Sequence, residues 1–449
     1  MHRLLAEYLR LRSNSVANAS AVCLALLAVQ NQYPPGAPKN WPLLNLCFEH
    51  VKSIVCWRPP EVGPSVEAVK ALEGQQIRTG GYFGLLLDAQ GRLKEGREWA
   101  ERMHARSVAV LGPANVFTVL LASQLADARS ALGHEESARD VLASAVTAAR
   151  SHDASALTMA FATVAAAQGG VPVASDEAAD VDSALPPMFR LMNRAIEGAD
   201  LTATEPALGL ERQRDAIDDT TRLYGSEALL TLKLKELHAM SLAGAGELDA
   251  AIALQDYVVG RHEHRRPDDQ LQVASSLLSL ASIVSRGSDK QRSLECQQRA
   301  WRIRRRLLGK GHQDTLKALS DLAFTISLLN DHQRANRLYA RLVSAGRRAL
   351  GDANPLTLEW AHWQAWQLTR SGDRDRAIAL RLQAIGCARN QVDANHEWLI
   401  ELKRGLLKDW LRQGAHLKAH EIALELTAHA RAIHGERSKE FLIALETAC

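Results

Sequence analysis

The sequence is poor in several features that would mark a particular class of protein. Its six cysteines are scattered over 449 residues without a CxxC pair, so neither a disulfide framework nor a zinc knuckle is indicated, and a reducing cytoplasm is the simplest location. Basic and acidic side chains nearly balance, 54 against 51, which gives no reason to expect nucleic acid or an anionic membrane. The most apolar early stretch, residues 21–30, is too short to cross a bilayer.

Catalytic and cofactor motifs are also lacking. There is no GxxxxGK[ST] phosphate loop and no nucleophile elbow. Aromatic residues make up only 5% of the chain, and Ala, Leu and Arg are abundant, which is a helix-forming composition. A chain of 449 residues exceeds what one core normally organises, so it should form several domains or a repeat array.

A period of 42 residues runs through the second half of the sequence. Residues 307–316 read LLGKGHQDTL and residues 349–358 read ALGDANPLTL. Steps of 42 from Gly309 meet residues that suit breaks between helices, namely Gly225, Pro267, Gly309, Gly351, Asp393 and Gly435. Turn formers follow 21 residues after the first five, at Gly246, Ser288, Asn330, Gly372 and Gly414. Each unit should therefore hold two helices.

Two further offsets hold mainly small residues, which would let the two helices of a hairpin approach closely. At +26 they are Ala251, Ser293, Ala335, Ala377 and Ala419. At +14 they are Ala239, Ala281, Ala323 and Ala365, with Leu407 as the exception. Bulky residues with helical spacing, such as Leu319, Leu322 and Ile326, should fill the seam.

The same frame appears earlier, starting at 70 and at 112, so at least seven two-helix units are predicted. The phase then slips across residues 168–187, which are rich in Gly, Pro, Ser and acid. A surface loop or linker and a regulatory or binding loop are both open interpretations. We therefore expect an N-terminal helical segment at 1–60, a first stack at 61–170, an irregular insert or linker at 171–205 and a second stack at 206–449.

This pattern resembles tetratricopeptide repeats of the 42-residue type seen in kinesin light chains. The phrase at Leu308, Gly309, His312, Thr315 and Leu316 matches best. The resemblance implies an all-α fold, a right-handed α-solenoid of antiparallel helix hairpins. It also implies a concave groove, lined by the first helix of each hairpin, that binds a protein or peptide.

The N-terminal residues carry a second resemblance, to the junction that precedes the repeats in STAND or NB-ARC signalling ATPases. The matching positions are His2, Arg3, Leu4, Trp41, Leu44 and His50. No ATPase is encoded in this sequence. The resemblance implies the sensor half of such a protein, with a separately encoded ATPase or effector as a partner.

A partner-binding groove is the main candidate site. In the repeat family four offsets usually face inward, here about +8, +11, +15 and +18. The predicted groove residues are Lys317, Ser320, Phe324, Glu359, His362, Trp366, Glu401, Arg404 and Lys408. Trp366 and Phe324 would be exposed aromatics among charges, as in a peptide-binding hot spot. The alternative is that Trp360, Trp363 and Trp366 only cap the seam between helices.

Other candidates have simpler structural interpretations. His416 and His420, at i and i+4, could hold a metal but lack a third ligand, and His262 and His264 lie where a helix end favours cations. The basic run 301–312 could meet an acidic protein or RNA, or could be a solvated face. The Gly-x-Gly at 244–246 is read as a turn. No metal, cofactor, membrane or nucleic acid is expected.

Three functions follow from the residues. The first is a non-enzymatic sensor or scaffold that binds a protein or peptide in the groove. The second is a constitutive adaptor of the kinesin-light-chain kind. The third is an enzyme with its site near the irregular residues 168–206, suggested by an acidic cluster at Asp176, Glu177, Asp180 and Asp182. The sequence offers no positive evidence for the third.

Overall fold

The computed structural model describes residues 16–58, 65–151, short pieces between 154 and 165, and then 186–265, 270–389, 391–392 and 396–434. In these residues all regular secondary structure is helical, as the composition predicts. The chain forms two compact units, residues 1–186 and 187–449, which are described separately below. Across the described ranges, no helix is both long and apolar enough to span a bilayer. His2, Arg3, Leu4, Pro267, Asp393 and Gly435 lie outside the described residues.

In the N-terminal unit, six α-helices and one short 3-10 helix at Pro38–Asn40 have both ends among the described residues. The α-helices are α1 Val16–Gln32, α2 Trp41–Cys56, α3 Val66–Ala89, α4 Leu93–Leu111, α5 Val116–Ser130 and α6 Glu135–Ser151. Buried side chains of α1 to α5 join in one apolar cluster, in which Phe48 of α2 meets Trp99 of α4 edge-on with ring centroids 5.0 Å apart. The helices expected to form a separate segment at 1–60 therefore share a core with the first hairpin of the predicted stack.

The C-terminal unit contains twelve helices among its described residues, arranged as six hairpins. They are α7 Pro187–Leu201, α8 Pro206–Tyr224, α9 Leu229–Gly244, α10 Leu248–Arg265, α11 Gln270–Ser285, α12 Lys290–Leu308, α13 Gln313–Leu328, α14 His332–Ala349, α15 Pro355–Arg370, α16 Arg374–Ala388, α17 Glu397–Gln413 and α18 His416–His434. First helices begin near every 42nd residue, as the period predicts. One correction follows: α7 lies inside the segment expected to be irregular, so the regular hairpins begin at Pro187 rather than 206. Residues 171–185 of that segment lie outside the described residues.

The glycine of the repeated phrase lies between hairpins, in a backbone region open to almost no other residue. Gly309 has φ 88° and ψ 168°, and Gly112 and Gly225 have similar angles. A residue with a Cβ is strained in this region. At the turn inside a hairpin the requirement is looser, since Gly414 is left-handed with φ 74° and ψ 14° and Asn330 has φ 63°.

The polar residues of the phrase begin the next helix. The side chain of His312 accepts a hydrogen bond from the backbone N–H of Asp314 at 3.1 Å, and Asn354 does the same for Leu356 at 3.0 Å. In an earlier hairpin the Thr231 hydroxyl donates to the Gly225 carbonyl at 2.8 Å. The glycine, the cap and the threonine thus close one turn between hairpins.

The small residues at +14 and +26 pack the hairpin seams as predicted. Ala239, Ala281, Ala323, Ala365, Ala251, Ser293, Ala335, Ala377 and Ala419 are all buried. In the hairpin of α7 and α8, Gly209 is at +26 of the repeat frame that starts at 183. A Cβ there would lie 2.5 Å from the Gly198 carbonyl oxygen. Close helix contact therefore fixes small residues at this offset.

Candidate binding site

We call the layer formed by the first helices of the C-terminal hairpins the inner layer. Its helices contact their neighbours from α7 to α11 and from α13 to α17, and polar bonds join several of them. Gln367 of α15 donates to the Ser327 hydroxyl of α13 at 2.6 Å, and Thr369 of α15 donates to Asp409 of α17 at 3.3 Å. On α13 the exposed stripe of this layer is Lys317, Asp321, Phe324 and Leu328. These are offsets +8, +12, +15 and +19.

An aromatic patch spans α13, α15 and α17 on this layer. We define the patch as Phe324, His362, Trp363, Trp366 and Trp398. Trp363 lies at its centre, with ring centroids 5.4 Å from Phe324, 5.1 Å from His362, 6.3 Å from Trp366 and 6.3 Å from Trp398. Phe324 is 41% exposed, and the three tryptophans and histidine are half-buried. Edge-to-face packing holds the rings in place while their outer edges remain accessible.

Carboxylates flank the patch on the side of the helix N-termini. Glu359 lies near Asp321 of α13 and Glu397 of α17, and the indole N–H of Trp363 donates a hydrogen bond to it. Burial, followed by the neighbouring Asp321 charge, raises the pKa of Glu359 to about 7, although Lys317 opposes the shift. A cationic group of a ligand would be favoured here, since it would restore the charge balance.

Cations flank the patch on the side of the helix C-termini. The Arg370 guanidinium lies 5.0 Å from the Trp366 ring centroid. A chain of hydrogen bonds positions it, because Arg370 Nε donates to His332 Nε2 at 3.4 Å and His332 Nδ1 contacts Gln367 Oε1 at 2.9 Å. Lys408 and Arg412 of α17 are exposed on the same layer. The surface is therefore acidic at one edge, aromatic in the middle and basic at the other edge.

His362 is neutral at physiological pH. Burial lowers its pKa to about 4, with Arg381 and Lys408 acting in the same direction against Glu401. Its Nδ1 atom is buried and has no hydrogen-bond partner among the described residues. The ring therefore packs next to Trp363 as an uncharged group with an enclosed Nδ1 atom.

The structure brings most of the predicted groove residues to this layer. Phe324, Trp366 and His362 belong to the patch, Lys317 and Glu359 lie at its acidic edge, and Lys408 is exposed on α17. Glu401 and Arg404 form an ion pair at 2.9 Å on the surface of α17. Ser320 needs correction: it is 7% exposed and lies beside the buried Tyr339, so it does not line the surface.

Sequence reasoning missed several members of the site. Asp321 and Trp363 are at +12, one residue from the offset taken from the repeat family, and Trp398 comes from the first turn of α17. Trp360, by contrast, is fully buried and packs over Gly346. One of the three tryptophans therefore belongs to the seam, and the other two to the patch. The signal in the sequence was the 42-residue period. Trp363 and Trp366 lie 42 residues after Asp321 and Phe324, which share the exposed stripe of α13 with Lys317.

The other candidates gain no chemistry from the structure. His416 and His420 are exposed on α18, and His262 is buried. Within the described ranges, no group of three or more His, Cys, Asp or Glu side chains could hold a metal ion. Gly244 ends α9 and Gly246 lies in the following turn with φ 90°, as predicted. The predicted acidic cluster at 176–182 lies outside the described residues.

Comparison with known proteins agrees with the fold. A family model described as tetratricopeptide repeat matches residues 273–314, from α11 to the start of α13. A comparison with curated proteins finds no match. The chain is therefore an all-α repeat protein with one stretch that matches a tetratricopeptide repeat.

Several solved structures are similar to the chain at low identity. BtubC (BKLC) from P. vanneervenii is 15% identical with a TM-score of 0.42, over 56% of this chain and 93% of that one. A Rap protein complexed with Competence and Sporulation Factor is 10% identical with a TM-score of 0.48, over 94% and 100%. The apo quorum sensor NprR from B. thuringiensis is 10% identical with a TM-score of 0.46, over 97% and 99%. These similarities concern the helical fold and not the ligand.

Proposed function

We propose that the chain is a non-enzymatic interaction protein that binds a protein or peptide on the inner layer of its C-terminal unit. The observation that carries the proposal is the aromatic patch with charges of opposite sign at its two edges. Clustered aromatic side chains that are held rigidly but remain accessible are typical centres of binding energy. The fitting ligand has an apolar anchor for Trp363 and Phe324, a cationic group toward Glu359 and a carboxylate toward Arg370 or Lys408.

A display selection tests this proposal directly. Random peptides selected on the wild-type chain should be enriched in sequences that pair a basic residue with a large apolar one. Selected peptides should lose about tenfold or more in affinity for Trp363→Ala, a loss of at least about 1.4 kcal/mol. Leu417→Ala is the matched control, because Leu417 is an exposed apolar residue on α18, away from the patch.

Two results would remove the groove from consideration. One is a selection that returns peptides whose binding is the same for wild type, Trp363→Ala and Trp366→Ala. The other is an unchanged set of partners in affinity purification with mass spectrometry after Trp366→Ala and Arg404→Glu. The Leu417→Ala variant again serves as the reference for nonspecific capture.

We also propose that the chain is the recognition part of a STAND-like signalling system in the cytoplasm. The motif at Trp41, Leu44 and His50 supports this, as α2 begins at Trp41 and buries Leu44. The described cysteines are free thiols, which suits a reducing compartment. Co-expression with ATPases encoded next to this chain tests the proposal. A stable stoichiometric complex with one large partner, unaffected by any stimulus, would instead favour a constitutive adaptor.

A further inference from the structure

The second helices carry a separate groove on the other side of the same hairpins. It lies between α12 and α14, with α13 as its floor, and has a volume of about 690 Å³. Its floor is apolar, formed by Leu316, Leu319, Leu322, Ile326 and Leu338. Leu338 belongs to α14, and the other four floor residues lie on the face of α13 opposite to Lys317, Asp321 and Phe324, as expected from 3.6 residues per turn. We call this surface the basic groove.

Six cations surround the basic groove. They are Arg302, Arg305, Lys310, Arg334, Arg341 and Arg348. All six are exposed, and none of the residues that line the groove is acidic. Arg302 donates a hydrogen bond to the Gln298 side-chain oxygen at 3.5 Å, and Arg305 lies 5.2 Å from the Trp301 ring centroid. Among the described residues, these six side chains form no ion pair.

The preceding junction, between α10 and α12, has carboxylates that pair with the corresponding arginines. There Arg292 pairs with Asp256 at 2.7 Å, and Arg299 pairs with Glu263 at 2.5 Å. One repeat later the two arginines recur as Arg334 and Arg341. The residues in the places of Asp256 and Glu263 are Gln298 and Arg305, so the carboxylates that close the preceding junction are missing at the basic groove.

We propose that the basic groove docks an acidic amphipathic segment of a partner protein. The segment would place apolar side chains on the leucine floor and carboxylates against the surrounding arginines, as Asp256 and Glu263 do one repeat earlier. Arginines pair well with carboxylates in two-pronged geometry. From Arg334 to Arg348 the groove follows α14 for about 21 Å, the length of roughly four helical turns. This surface is distinct from the aromatic patch and does not depend on it.

The probe is a fluorescent helical peptide of about 15 residues, with leucine at i, i+3, i+4 and i+7 and glutamate at the flanking positions. One control peptide has lysine in place of every glutamate, and a second has serine in place of every leucine. Fluorescence anisotropy with the full chain, at about 0.1 M salt, should show affinity for the acidic peptide at least about tenfold above both. Higher salt should weaken it, because exposed charges are screened.

The decisive variant restores the missing carboxylates. Gln298→Asp combined with Arg305→Glu copies the ion-paired junction and leaves the apolar floor intact. We expect it to fold as the wild type does and to weaken the acidic peptide by about tenfold or more. Arg292→Ala, in the already paired junction, should change the affinity by less than about twofold. Trp363→Ala should leave it unchanged, so that failure at the aromatic patch and failure here are separate results.

Three outcomes would overturn the proposal. In the first, the double variant binds the acidic peptide as tightly as the wild type does. In the second, the acidic peptide binds no better than its lysine counterpart. In the third, single-stranded RNA or vesicles containing phosphatidylserine bind through Arg334 and Arg341 while the acidic peptide does not, which would assign the groove to one of those anions.

Discussion

Arg381 of α16 and Asp409 of α17 form an ion pair in the interior of the C-terminal unit. Their side chains are 3% and 2% exposed, and the Thr369 hydroxyl of α15 donates to the same carboxylate at 3.3 Å. Because the three residues lie on three consecutive helices, the pair connects two hairpins at the level of the aromatic patch. It thereby fixes α17 against α15, the helix that carries Trp363.

Removal of one partner from this pair should be costly. Asp409→Ala leaves the Arg381 guanidinium buried without a counter-charge, and we expect a loss of about 3–5 kcal/mol in the free energy of unfolding. Urea denaturation measures it. Arg292→Ala, which breaks the exposed pair with Asp256, should cost less than about 1 kcal/mol. Arg381→Met with Asp409→Leu should cost less than Asp409→Ala alone, and the reverse order would contradict the interpretation.

Gly405 should resist substitution because Arg381 passes directly over it. A Cβ at this position would come within 2.4 Å of the Arg381 Nε atom, and the guanidinium is buried and held by Asp409. We expect Gly405→Ala to destabilise the fold by about 1–3 kcal/mol in thermal or urea unfolding. Gly386→Ala is the control: no atom lies within 4 Å of its Cβ, so it should stabilise α16 by about 0.5–1 kcal/mol. Equal effects at the two glycines would show that Arg381 does not restrict position 405.

The two kinds of turn should differ in their tolerance of asparagine. Gly309→Asn places a side chain in a region nearly exclusive to glycine and should cost about 1–3 kcal/mol. Gly414→Asn is in the left-handed region that Asn330 already adopts, so its cost should be below about 1 kcal/mol. Unfolding of both variants under the same conditions makes the comparison. A smaller loss at 309 than at 414 would contradict the assignment.

Glu359 should make the fold less stable as the pH rises. Its ordinary pKa is 4.5 and its pKa in the fold is about 7, so the folded state binds the proton more tightly than the unfolded state. The contribution of protonated Glu359 to the free energy of unfolding is therefore fully present below about pH 4.5 and decreases as the pH rises to about 7. Glu359→Gln should lessen this decrease, and Asp321→Asn should reproduce part of the effect. The measurement is the free energy of unfolding from pH 4 to pH 8. If the Glu359→Gln curve runs parallel to the wild-type curve, Glu359 is not the cause of the decrease.

Much of the fold could be predicted from local chemistry. Gly309 and Gly351 each end a hairpin because few other residues adopt their positive φ angles, and Ala323 and Ala335 are small because two helices meet there. Helix α7 was not predicted, because the phase slip and the polar residues before it suggested a linker. The repeat frame nevertheless resumes at 183, which places α7 in step with α9.

The site was harder to predict because helix rotation and packing across repeats decide it. Ser320 and Asp321 differ by one residue and about 100° around α13, so one faces Tyr339 and the other the ligand surface. Arg381 and Asp409 lie 28 residues apart, and no other unit of the C-terminal array has an arginine and a carboxylate at these two offsets. The basic groove appears only when Gln298 and Arg305 are compared with Asp256 and Glu263 one period earlier.

Helix α13 belongs to both proposed surfaces, with Phe324 on one side and Leu319 on the other. A helix with its side chains is only about 10–12 Å thick. Two different proteins could therefore be held at once, back to back, without competing for the same atoms. The chain would then act as a thin partition that keeps two partners at a fixed short distance, and its output would be the proximity itself.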